Sequence, residues 1–171
     1  GTNLRDLAAR LELSKSALYK HYDSKEAIWN ALLDKMEAYY AQRFGSMDNL
    51  PKPPDSWEEF VQTVMDMIRF TVYDPQIILT RKLLTTEQFH DARVCKLATK
   101  HFLEGTANIY AKVFEAMMDK GLLKKQDPAM LAFSFTPPIS ALIHLCDREV
   151  ERQPEAFARM EAYLRYFLDL H

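Results

Sequence analysis

Lys15, Tyr19, Lys20, His21, Tyr22 and Lys25 crowd into one stretch, SKSALYKHYDSKEAIW, from Ser14 to Trp29. Ammonium, imidazole and phenol groups are the ones that hold phosphate oxygens and reach the hydrogen-bonding edges of bases. Ser14 and Ser24 each sit where a helix should begin, and each is followed at once by a lysine. A cation at the first helical position meets the positive end of the macrodipole, at a cost of roughly 0.3–1 kcal/mol. Phosphates beside those positions would offset the cost, with free backbone amides sharing the anion. The plainer reading of the same residues is two solvated lysines and a structural His21, with the small penalty tolerated.

Other reactive groups fail to assemble. His144 and Cys146 are two apart on a helical pattern, so they diverge by about 200° and cannot share a metal. His101 and Glu104 share a face, but no third ligand accompanies them. There is no G-x-S-x-G, no phosphate-cradling glycine loop and no H-E-x-x-H. No catalytic role, no metal and no cofactor are therefore expected.

The elements that must position the basic cluster are helices. The 171 residues include only four glycines, too few for a fold rich in tight turns. Apolar residues make up 48% and charged residues 27%, a globular balance. The apolar runs are short or broken by charge, so no membrane span is expected. Nothing resembles a signal peptide. Cys95 and Cys146, far apart, suit reduced thiols and a cytoplasmic setting. With a formal net charge of -2, any grip on nucleic acid must be local.

Asn3 can cap a helix carrying Leu4, Leu7, Ala8 and Leu11 at helical spacing. Ser14 caps the next, Lys15 to about Tyr22, and Ser24 caps a third, Lys25 to about Phe44. Gly45 to Ser56 is a linker with three prolines. Ser56 with Glu59 opens a helix to about Tyr73. Asp74-Pro75 punctuates, and Ile77 to about Thr86 is a shorter helix. Asp91 to about Lys120 is a long one, closed by Gly121. Asp127-Pro128 starts a helix to about Glu149 that contains Pro137-Pro138, either kinked or broken there. Gln153-Pro154 introduces the last, ending near Leu170. The expected fold is all-α, with residues 1–45 a helix-turn-helix unit plus connecting helix and residues 46–171 a larger helical domain.

Leu7, Leu11, Leu13, Leu18 and Tyr22 can form the small core of a helix-turn-helix, leaving Lys15, Ser16, Tyr19 and Lys20 facing outward. Small residues early on that face permit close approach to a major groove. The runs Asn3-Leu4-Arg5-Asp6-Leu7-Ala8, Leu13-Ser14-Lys15-Ser16-Ala17-Leu18-Tyr19-Lys20-His21-Tyr22 and Ser24-Lys25-Glu26 resemble the tetracycline-repressor (TetR/AcrR) family of bacterial transcriptional regulators. The motif spans about the first thirty residues and is specific as a set. The resemblance implies that Lys15, Ser16 and Ala17 face bases or nearby phosphates, that Tyr19, His21 and Lys25 contact backbone phosphate, and that Asn3 and Ser14 cap helices and touch phosphate. Lys20 belongs to the same DNA-facing set. Ser16 stands where the family often has glycine, so base preference does not carry over. The family's own first helix is not among these residues and is expected to lie upstream.

The resemblance also implies that residues 46–171 bind a small-molecule effector and form a homodimer, that the partner is palindromic double-stranded operator DNA, and that the protein represses until the effector releases it. Independently, the last two helices are apolar on more than one side, which fits an interface between two copies. Ile139, Leu142, Ile143, Met160, Tyr163, Leu164 and Phe167 are the expected interface. Polar or aromatic residues on otherwise apolar helices, Tyr73, Arg81, His101, Tyr110, Phe114, Phe133 and His144, are the expected effector contacts. Two other functions remain open: a helical protein–protein module that has lost DNA binding, and a small-molecule-binding or catalytic domain with a vestigial motif.

Overall fold

A computed structural model describes residues 24–44, 50 and 52–171. Among these the chain is helical, with no strand: α1 (Lys25–Phe44), α2 (Trp57–Tyr73), α3 (Pro75–Glu87), α4 (Ala92–Thr99), α5 (Gly105–Asp119), α6 (Pro128–Arg148) and α7 (Gln153–Leu170). A π-helical turn, Lys100–Glu104, joins α4 to α5, and a short 3-10 turn, Val150–Arg152, precedes α7. The all-α expectation holds.

Local hydrogen bonds start the helices. The Ser24 hydroxyl accepts from Ala27 N at 3.0 Å, and the Ser56 hydroxyl accepts from Glu59 N at 3.1 Å. The Glu59 carboxylate reaches back one residue further than a simple capping box, to Asp55 N. Asp74 is more than punctuation. Its carboxylate accepts from Gln76 N and Ile77 N, and Pro75 takes the first helical position, so α3 begins two residues before Ile77. Asp127-Pro128 repeats the device at α6. Gly121 closes α5 with φ 73°, its N–H on Met118 O and the Leu122 N–H on Met117 O. Both bonds need the left-handed conformation that glycine adopts without strain.

The stretch expected to be one long helix from Asp91 is α4, the π turn and α5. Gly105 makes the wide turn possible. Its N–H bonds to Lys100 O, five residues back, and a Cβ there would lie 2.7 Å from that carbonyl oxygen. Only a residue without a side chain fits under the π turn.

α6 runs unbroken through Pro137 and Pro138. Pro138 has no N–H for Ser134 O, its partner in a regular helix. The Tyr163 hydroxyl of α7 supplies the missing donor, to Ser134 O at 2.9 Å and to Phe135 O at 3.3 Å. We expect Tyr163→Phe to cost about 0.5–1.5 kcal/mol, the net worth of a hydrogen bond to an exposed carbonyl. A urea midpoint unchanged from the parent would show that solvent takes over the bond.

Two apolar cores hold the helices. In one, Leu32, Leu33 and Met36 of α1 meet Leu83 and Leu84 of α3 and Val94, Leu97 and Ala98 of α4. The larger joins α2, α5, α6 and α7 around Phe60, Phe114, Phe135, Met117, Met160 and Phe167. This corrects the expected dimer residues. Met160, Leu164 and Phe167 are buried in the chain's own core, as is Ile139, because α2 and α5 already cover those faces. Leu142, Ile143 and Tyr163 are half-buried against the same core. The apolar side chains that α6 and α7 do expose are Met130, Phe133, Tyr166 and Leu170. By length and composition α6 could cross a membrane, contrary to expectation. Its apolar residues Leu131, Phe135 and Ile139 are instead core contacts.

Candidate functional site

Between the cores lies a cavity of about 450 Å³, walled by α1, α2, the π turn, α5 and α6. That is the size of sites for drug-sized molecules, about 300–1,000 Å³. Of the expected effector contacts, Arg81, His101, Tyr110 and His144 line it. Three do not. Tyr73 is exposed and stacks on Phe157, with ring centroids 5.7 Å apart. Phe114 is fully buried among Phe60, Tyr110, Phe135 and Phe167. Phe133 is exposed near the start of α6, outside the cavity lining. Composition marks such residues as candidates, but where each helix lies and how it is rotated decide which of them reach the cavity.

Arg81 enters from α3 and is spent within the protein. Its Nε and Nη2 bond both oxygens of Asp147, each at 2.7 Å, and Nη1 bonds Thr71 O at 2.6 Å. The guanidinium is 3% exposed, so the pair is a buried, bidentate bridge from α3 to α6.

The two histidines and Tyr110, inside the rim, are neutral at pH 7. Burial drops the His101 imidazole to about 4, with the Lys100 cation adding to the effect and the Glu37 carboxylate opposing it. Burial also lowers His144, against the pull of Asp147. Burial alone raises the Tyr110 phenol to about 12. Among the described residues, neither the Tyr110 hydroxyl nor the ring nitrogens of the two histidines have a hydrogen-bond partner. Each therefore offers a vacant donor or acceptor to whatever enters. The charged residues of the lining, Arg43, Lys52 and Glu59, stand at the exposed rim.

His101 makes acid stability testable. Its folded value lies below the ordinary 6.5, so the unfolded chain binds the proton first. Stability is complete above about pH 6.5 and falls as pH drops toward 4, by up to about 3 kcal/mol. His101→Phe should flatten that limb in urea titrations run across the window. An equally steep limb in the variant would assign the loss to other groups.

Tyr40, Phe102 and Ser140 also line the cavity and were missed in the sequence. Tyr40 reads as one more apolar-stripe residue of α1, yet its ring lies 4.2 Å from His101. Phe102 sits in the π turn and meets His144 edge-on at 5.1 Å. Gly105, isolated within a helical pattern, was the available signal for that turn.

α1 links the cavity to the basic cluster. Tyr40, Gln42 and Arg43 at its C-terminal end line the cavity. Between Trp29 and Glu37 it is clamped to α4 and its two ends: the Trp29 indole donates to Asp91 at 2.9 Å, Arg93 pairs with Asp34 and Glu37, and Lys100 pairs with Glu37 at 2.9 Å. Asn3, Ser14, Lys15, Ser16, Ala17, Tyr19, Lys20 and His21 lie outside the described residues. Of Lys25 the structure describes the backbone, as the first residue of α1.

Residues 1–32 match the family model of bacterial regulatory proteins, tetR family. The match covers the basic cluster and ends within α1. No curated protein and no solved structure matches the chain. Over these 32 residues the chain is similar to the tetR family of bacterial regulatory proteins.

Proposed function

We propose that the protein is a homodimeric cytoplasmic repressor that leaves a palindromic operator when a small molecule fills the cavity. One observation carries this reading: α1 continues the family-matched segment at one end and lines the cavity at the other. A ligand that contacts Tyr40 and Arg43 differently in two positions of α1 would move the DNA-reading segment by that difference in affinity, and no more. Lys15, Ser16 and Ala17 would face bases or nearby phosphates. Asn3, Ser14, Tyr19, Lys20, His21 and Lys25 would hold the backbone. The exposed Met130, Phe133, Tyr166 and Leu170 on α6 and α7 would carry the contact between copies, in place of the core residues expected from sequence.

Selection from a random DNA library, followed by anisotropy titration, tests the proposal. We expect a palindromic winner and an affinity that falls steeply with salt, as phosphate contacts release counterions. Lys25→Ala should weaken binding to all sequences and reduce the salt slope by about 1. Ser16 substitutions should change which sequence wins. The dimer should appear in sedimentation of the same sample. No sequence preference in the selected pool would defeat the regulator reading.

A further inference from the structure

We propose that the cavity takes an uncharged, largely apolar molecule bearing a neutral hydrogen-bonding group, which the Tyr110 hydroxyl meets. This rests on the reading of the cavity as a ligand site and names the ligand's chemistry. The charges on its walls support it. Arg81 is the buried cation of the lining, and Asp147 matches its charge while all three of its nitrogens are already hydrogen-bonded within the protein. An entering carboxylate would have to compete with Asp147 for it. An entering ammonium would find Asp147 already held in a bidentate grip. A bare charge in an apolar chamber loses its hydration without compensation.

The rim does not change this. Lys52 pairs with Asp55 at 2.8 Å, Glu59 accepts from the backbone of Asp55, and Arg43 lies over the rings of Tyr39 and Phe70 at 5.6 and 5.5 Å. The walls are Phe60, Val64, Ile68, Phe102, Ile109 and Val113, aromatic and branched surfaces that gain from covering a flat apolar body. Against them stand a phenol and two imidazoles with vacant hydrogen-bonding positions. These can donate to and accept from a hydroxyl, carbonyl or amide without any ion being buried.

Calorimetry at neutral pH with three probes of one skeleton tests the idea: para-phenylphenol, para-phenylbenzoate and para-phenylbenzylammonium. We expect the phenol to bind at least about tenfold more tightly than either ion. Tyr110→Phe should weaken the phenol by about three- to tenfold. The same variant should keep or raise the urea midpoint, since the hydroxyl it removes serves no protein partner. Ile109→Trp, which fills the cavity, should abolish binding. An ion that binds as tightly as the phenol, no binding by any probe, or binding unaffected by Ile109→Trp would each overturn the proposal. Operator anisotropy with the bound probe separates the two claims. Tight phenol binding with unchanged DNA affinity leaves the ligand class standing and defeats the induced-release reading. Release by the benzoate does the reverse.

Discussion

Asp147→Ala lowers the stability of the fold by about 3–5 kcal/mol, because it strands a buried guanidinium. Arg81 is 3% exposed and spends two of its three hydrogen-bonded nitrogens on that one carboxylate. Thr71 O remains as its partner, but a carbonyl dipole does not neutralise a full charge. For a chain of this length the loss corresponds to a fall in Tm of roughly 10 °C. The bridge is not expected to be worth that much itself, since desolvating both ions consumes most of their attraction. Arg81→Met combined with Asp147→Leu should therefore regain most of the stability. Urea unfolding of the parent, the single variants and the double variant completes the cycle. An Asp147→Ala loss below about 1 kcal/mol would mean that water reaches Arg81 through the cavity and solvates it.

The second large effect lies at Phe135. Its ring is fully buried and meets Phe60, Tyr110, Phe114, Tyr163 and Phe167, with centroids from 4.8 to 6.2 Å away. Phe135→Ala removes the centre of that cluster, with an expected cost of about 3–5 kcal/mol from lost burial and the void left behind. The consequence reaches the site. The Tyr110 ring, 4.8 Å from Phe135, would lose the wall that sets its orientation, so affinity for a ligand meeting its hydroxyl should fall as well. Phe135→Leu, which restores part of the volume, should recover part of both. Loss of stability with ligand affinity intact would show that Phe60 and Phe114 suffice to orient Tyr110.

The resemblance of the first 32 residues to the tetR family, the helical class and the helix starts were legible in the residues alone, because each is a short-range matter. A serine or aspartate caps amides two or three positions along the chain, and Ser24, Ser56 and Asp127 do so where the spacing indicates. Gly121 ends α5 for an equally local reason, its positive φ. The match at residues 1–32 falls on the segment whose side-chain types and spacing had already singled it out.

What lies far apart in sequence was decided by packing. Arg81 looked like one of several polar residues on an apolar helix, and only the approach of α6 brings it Asp147, 66 residues away. Pro138 looked like a break or a kink, and only the arrival of α7 lets Tyr163 serve the carbonyl it leaves bare. Met160, Leu164 and Phe167 looked like surplus apolar surface for a second copy. Their burial against α2, α5 and α6 leaves Phe133 and Tyr166 outside instead. A sequence states how apolar a helix is on each side. It does not state which neighbour covers which side, because that depends on the relative rotation of elements joined through many intervening residues. The chamber around Tyr110 follows from the same rotations, which is why its chemistry could be read only once the helices were in place.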